Sequence, residues 1–151
     1  MGGDEVIAGA DPARRLLLDT HTLVWSMNNN PKLGLRAMEA IRLAYRKKCA
    51  LVSAITPWEI GLLVSKARLQ LGDDVMQWIS AAMAVPGVTL APLEPEIAVA
   101  STRLPWEMHP DPADRILVAT ARHLGATLVT ADRALLEMAQ KGHFKAMDAT
   151  V

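Results

Sequence analysis

The sequence predicts an α/β fold, a central parallel sheet flanked by helices, and three observations carry that prediction. Leu16-Leu17-Leu18 is a short continuous apolar run that stops abruptly at Asp19, as a strand buried on both faces does. Comparable short runs recur at residues 50–53, 88–91 and 127–130. The stretches between them are longer and carry apolar residues at helical spacing, so strands and helices alternate as in βαβ units.

A chain of 151 residues with 51% hydrophobic and 21% charged residues is globular and able to bury a substantial core. One domain is expected over residues 16–151, after a loose leader at residues 1–15 that is small and acidic and contains Asp11-Pro12. Sixteen basic residues balance sixteen acidic ones. No global field therefore draws in nucleic acid, and an anionic partner must be held by a local patch or a metal. The single cysteine, Cys49, excludes an intramolecular disulfide and any CxxC metal knuckle, and its apolar context predicts a buried thiol. No apolar run reaches the ~18 residues of a membrane span. Met1-Gly2-Gly3-Asp4-Glu5 has neither the basic start nor the apolar core of a signal peptide. A cytoplasmic protein is the expectation.

Taken in order, the first strand is expected over about 15–19 and a short helix over 20–27, stopped by Asn28-Asn29-Asn30-Pro31. Leu35, Met38, Ile41 and Tyr45 set the buried side of a helix over 35–48, whose other face carries Arg36, Arg42, Arg46 and Lys47. That basic face reads either as a solvated surface or as a phosphate-contacting patch. After a strand at 50–53, Thr56-Pro57-Trp58-Glu59 has the form of a helix start: Thr56 as N-cap, Pro57 first, Glu59 closing a capping box. A helix following Asp74 should bury Val75, Met76, Ile79 and Met83 before Pro86-Gly87 breaks it. A third strand spans 88–91 and a helix 94–104. Asp111-Pro112-Ala113-Asp114 repeats the capping logic for a helix that runs to Leu124, with Gly125 closing it. A fourth strand at 127–130, a helix from about Asp132 to Gln140 and a short strand at 145–148 complete the chain. The four tryptophans are expected mainly in the core.

Four carboxylates fall at equivalent topological places. Asp19 and Asp132 follow strands, and Glu59 and Asp114 lie in the first turns of helices that start on the same side of the sheet. Glu59 and Asp114 also suit the helix dipole, Asp132 also suits an N-cap, and Asp111 is better explained as an N-cap than as a ligand. Asp19 has no such ordinary explanation in the sequence. Several carboxylates in one cleft repel one another unless a divalent cation compensates them. Oxygen-only ligation suits Mg²⁺ or Mn²⁺, whose retained waters serve phosphodiester hydrolysis.

These residues resemble a known family. Leu-Leu-Asp19-Thr-His-Thr, Ser53-Ala-Ile-Thr56-Pro-Trp-Glu59-Ile, His109-Pro-Asp111-Pro-Ala-Asp114-Arg115-Ile-Leu-Val-Ala and Leu128-Val-Thr130-Ala-Asp132 are similar to the PIN-domain pattern, and more narrowly to VapC-type toxins of bacterial toxin–antitoxin pairs. The similarity spans about Leu16 to Ala149, with the motifs in the family's order and spacing. It implies a PIN-like three-layer sandwich with sheet order 3-2-1-4-5 and a Mg²⁺- or Mn²⁺-dependent endoribonuclease. By position it makes Asp19, Glu59, Asp114 and Asp132 the catalytic, metal-holding acids. Thr20 and Thr130 would line the site through their hydroxyls, the latter orienting Asp132, and Asp111 would support the ligands from behind. Ala113 stands where the family commonly has Phe, and the leader is longer than such toxins usually carry. The resemblance further implies a small cognate antitoxin whose C-terminal segment crosses the active-site groove, and a homodimer.

Rival readings fare less well. A haloacid-dehalogenase phosphatase needs a second Asp two residues after the first, where this chain has His21. The four histidines show no zinc spacing, although His21 stands close to Asp19, and no Gly-rich phosphate loop is present. A non-catalytic PIN-like module that binds RNA or protein is the alternative from another class. In the enzymatic reading Arg42, Arg46 or Arg115 would position the RNA backbone, with a salt bridge to a neighbouring acid as the alternative for Arg115.

Overall fold

The computed structural model describes residues 15–151, so the expected leader lies outside the described residues except for Arg15. The elements in chain order are β1 (Leu16–Leu18), α1 (Thr20–Met27), α2 (Leu35–Arg46), β2 (Ala50–Ser53), α3 (Ile55–Ser65), α4 (Val75–Met83), β3 (Val88–Ala91), α5 (Pro95–Thr102), α6 (Pro112–Leu124), β4 (Thr127–Thr130), α7 (Arg133–Gln140) and β5 (Lys145–Asp148).

Alternation along the strands builds the layers. Leu16 and Leu18 of β1 join Ala50 and Val52 of β2 and Val129 of β4 in a core under α1 to α4, which contribute Leu23, Ile41, Ile60 and Ile79. The intervening Leu17, Leu51 and Leu128 face the other way, onto Leu117, Val118, Ala121 and Leu124 of α6 and Leu135 of α7. Both faces of the sheet are therefore buried, which is why the central strands read as unbroken apolar runs.

All strands pair in parallel in the order β3-β2-β1-β4-β5, as the resemblance implied. Leu17 sits in register with Leu51 on one side and Leu128 on the other. The order reverses between β1 and β4, and a doubly wound sheet opens its ligand crevice at such a point, beyond the carboxyl ends of the strands. Asp19 and Asp132 stand at those two ends.

Several local expectations need correction. Helix α3 begins at Ile55, with Ala54 before it in helical conformation and no side-chain cap. The Ile55 amide instead donates to Ser53 Oγ at 3.1 Å. Thr56 thus falls inside the first turn, fully buried with an unpartnered hydroxyl, and the capping box with Glu59 does not form. In α4, Trp78 and Ile79 are buried while Met76 is 60% exposed, the reverse of the expected place for Met76. In α2 the buried residues are Ala37, Ile41 and Ala44, and Leu35 is 73% exposed. Leu35 lies about 200° round the helix from Ala37, on the face opposite this buried stripe. Of the tryptophans only Trp78 is buried, and Trp58 is exposed.

Candidate active site

Asp19 begins at the end of β1. Its amide donates to Val129 O at 3.2 Å, continuing the ladder to β4 for one more residue. Its side chain caps α1, with Oδ1 accepting from the Thr22 amide at 2.8 Å. Asp19 does therefore have a capping role that its sequence context concealed. Asp132 does the same one strand away, where Oδ1 accepts from the Leu135 amide at 3.1 Å at the start of α7. The Asp132 amide in turn donates to the buried Thr130 hydroxyl at 3.1 Å, so Thr130 orients the aspartate through its backbone.

Glu59 reaches across from α3 and accepts a hydrogen bond from Thr20 Oγ1, which ties α3 to α1 at the cleft. At the start of α6, Asp111 is the N-cap, accepting from the Asp114 amide at 3.0 Å, and Pro112 takes the first helical position. Asp114 Oδ2 lies 2.8 Å from His109 Nε2.

Asp19, Thr20, His21, Trp25, Glu59, Asp111, Asp114 and Asp132 line one cleft of about 330 Å³. Five carboxylates thus share the cleft with His21, while His109 meets Asp114 from its edge, and the crowding shows on Asp114. Burial, joined by the charges of Asp111 and Asp132, pushes its carboxyl up to about 6 against the opposing hydrogen bond from His109. Asp19, Asp114 and Asp132 each have one carboxylate oxygen with no hydrogen bond among the described residues. Among those residues no group of three or more His, Cys, Asp or Glu side chains stands close enough together to hold a metal ion. An open cleft with oxygen donors on several walls is what a Mg²⁺-type ion needs, because it binds through one or two carboxylates and keeps waters.

The basic candidates separate. Arg42 and Arg46 are exposed on α2. Arg115 turns to the backbone: Nε donates to Ser101 O at 2.8 Å and Nη1 to Met108 O at 3.1 Å, which clamps the 101–109 segment. It forms neither a salt bridge to an acid nor part of the cleft wall among the described residues. Two contributors escaped the sequence reading. His109 precedes the α6 cap and meets Asp114, and Trp25, expected in the core, lines the cleft instead. Their spacing, five residues before Asp114 and one and a half turns after Asp19, was the available signal.

Comparison with known proteins agrees with this geometry. The PIN-domain profile matches residues 16–141. Over 120 residues the chain is 33% identical to ribonuclease VapC22 of Mycobacterium tuberculosis, covering 80% of this chain and 88% of that protein. A VapBC2 structure from Rickettsia felis, bound to a DNA fragment from its promoter, superimposes with a TM-score of 0.63 at 14% identity, covering 87% of this chain and 96% of that one. A DNA-bound VapBC structure from Salmonella typhimurium gives 0.60 at 15% identity, with 89% and 97% covered. With four acids gathered at the sheet's switch point, the expected strand order and a relative of this similarity, the chain belongs to the PIN-domain family, among proteins of the VapC type.

Proposed function

We propose that this protein is a Mg²⁺- or Mn²⁺-dependent endoribonuclease, the toxin of a toxin–antitoxin pair, acting on cytoplasmic RNA. The observation that carries the reading is the carboxylate cleft, where burial, joined by the neighbouring charges of Asp111 and Asp132, drives Asp114 up to about 6. Similarity to the M. tuberculosis ribonuclease supports it.

Asp19, Asp114, Asp132 and Glu59 are the residues that hold the cation. When bound, it supplies Lewis-acid polarisation of a phosphate oxygen and brings water into its nucleophilic range. The chain's own contribution is arrangement. The caps on α1 and α7 hold Asp19 and Asp132, Thr20 holds Glu59, and His109 holds Asp114, so each acid is tethered at the cleft by a partner of its own. The exposed guanidinium groups of Arg42 and Arg46 on α2 hold the RNA backbone in this reading.

A cognate antitoxin and a second copy of the chain are the proposed protein partners. The VapBC structures named above support such a partner, and the exposed apolar side chains Leu35, Trp58, Met76 and Val99 are candidate contacts for it. No helix among the described residues is long and apolar enough to cross a membrane.

The deciding experiment is RNA cleavage with Mg²⁺, Mn²⁺ or EDTA by wild type and Asp19→Asn. Asn is as good an N-cap as Asp, so α1 survives while one ligand charge is lost. Cleavage should need metal and fall about 100-fold or more in the variant, since changes even to residues behind metal ligands cost ~10–100-fold. Undiminished cleavage by Asp19→Asn would overturn the assignment, and silence of the wild type on every RNA would favour a binding module.

A further inference from the structure

A second cavity, of about 560 Å³, opens between α1 and α2 and shares Trp25 with the carboxylate cleft. Ligand pockets typically span ~300–1,000 Å³, so the space is large enough for a nucleotide. Its walls combine two chemistries. Trp25, Tyr45 and Met38 present apolar and aromatic surface, all three half-buried. Ser26, Asn29 and Arg42 supply polar groups, and Ser26 Oγ and Tyr45 Oη are paired at 2.8 Å.

The pairing with the acid cleft gives this cavity its meaning. His21 and Trp25 lie one turn apart on α1, their rings tilted at 59° with centroids 6.4 Å apart. His21 belongs to the carboxylate cleft, and Trp25 forms the wall common to both spaces. Trp25 is thus the side chain that a strand passing from the acids into the second cavity would meet. The protein has no net charge, so affinity for RNA cannot come from a broad field. Unpaired bases are recognised instead by stacking on aromatic faces and by hydrogen bonds to their edges.

We propose that this cavity is a nucleobase subsite, which receives an unpaired base next to the scissile phosphate, a reading that rests on the proposed nuclease function. The base lies against Trp25, Tyr45 and Ser26 face its edge through their hydroxyls, Asn29 offers an amide at the mouth, and Arg42 meets the adjoining phosphate. The subsite takes single-stranded RNA and gives the enzyme a preference at one position beside the cut.

The test uses the full chain in two arms. In the first, Asp19→Asn protein is irradiated with unstructured RNA containing 4-thiouridine, and crosslinked peptides are mapped. Adducts within residues 25–45 are expected; adducts confined to other segments overturn the subsite. In the second, wild type, Trp25→Ala, Trp25→Phe, Tyr45→Phe and Asn29→Ala cleave a random single-stranded RNA pool, and the ends are sequenced. Trp25→Ala should raise KM about tenfold, with partial rescue by Trp25→Phe. Tyr45→Phe and Asn29→Ala should change the preferred base. Active enzymes with unchanged KM and preference overturn the subsite and leave the nuclease intact. RNA neither bound nor cut overturns both. Variants that lose only binding of the cognate antitoxin, with RNA cleavage unaltered, overturn the subsite in favour of a protein-docking groove.

Discussion

Asp114 carries two opposing demands: it is half-buried beside other acids, yet the proposed function requires it to remain available to a cation. Burial raises its carboxyl to about 6, above the ordinary ~3.9 of an aspartate. A carboxyl raised by folding contributes stability that is fully present below about pH 4 and is lost as pH rises through about 6. In EDTA, Asp114→Asn should therefore melt a few degrees above wild type at pH 7.5, and the gap should close towards pH 4. Thermal unfolding across that range checks this, and equal pH profiles for the two proteins would contradict it. Excess Mg²⁺ should reverse the order, because bound cation stabilises only the protein that retains the ligand. Thr56 makes a second test at this scale. Its buried hydroxyl has no partner, and an unsatisfied buried group costs about 1–3 kcal/mol. Thr56→Val, of the same shape, should hold or raise stability by urea unfolding; a clear loss would mean that the hydroxyl has a partner after all.

At the scale of elements, two glycines separate backbone strain from crowding. Gly125 closes α6 at φ +62 with open space where a Cβ would stand. Gly87 turns into β3 at φ +90, and a Cβ there would fall 1.9 Å from the Tyr45 carbonyl oxygen. Gly125→Ala should cost only the left-handed strain, about 1–2 kcal/mol. Gly87→Ala must also displace the end of α2 and should cost more, roughly 3 kcal/mol or above. Denaturant unfolding of the two variants gives the comparison, and equal losses would mean that the β3 turn yields without moving α2. Both glycines were visible as breakers in the sequence. Which one another helix abuts was not, since that depends on α2 crossing the turn. The same limit applies to α3: Thr56-Pro57-Trp58-Glu59 reads as a helix start, but Ser53 Oγ at the end of β2 receives the Ile55 amide and lets the helix begin earlier. Glu59 is thereby released from local capping to meet Thr20.

For the whole molecule, the balance of sixteen basic and sixteen acidic residues makes RNA affinity a local matter. Single-stranded nucleic acid loses affinity with salt by a log–log slope of about 0.7 per neutralised phosphate. Binding by Asp19→Asn protein should show a shallow slope, about 2, and Arg42→Ala and Arg46→Ala should each lower it by about 0.7. Fluorescence anisotropy over a salt series measures this; slopes unaffected by either change would place the phosphate contacts elsewhere. Arg115, whose guanidinium holds the Ser101 and Met108 carbonyls, should leave the slope unchanged.

What the sequence by itself determined follows from local periodicity and position. The apolar runs at 16–18, 50–53 and 127–130 mark strands covered on both faces, and helical spacing fills the gaps, so the parallel α/β fold and the chain positions of Asp19, Glu59, Asp114 and Asp132 could be read directly. Those positions are tied to strand ends and first turns, which a parallel sheet places on one side. Only the tertiary structure decided how each acid is held: Asp19 by the Thr22 amide, Glu59 by Thr20, Asp114 by His109. It also decided that Arg115 serves the backbone and that Trp25 stands between two cavities. Side-chain partners across elements depend on the angle and distance at which helices cross the sheet, and those are set by packing volumes summed over the whole core, a quantity no local window contains.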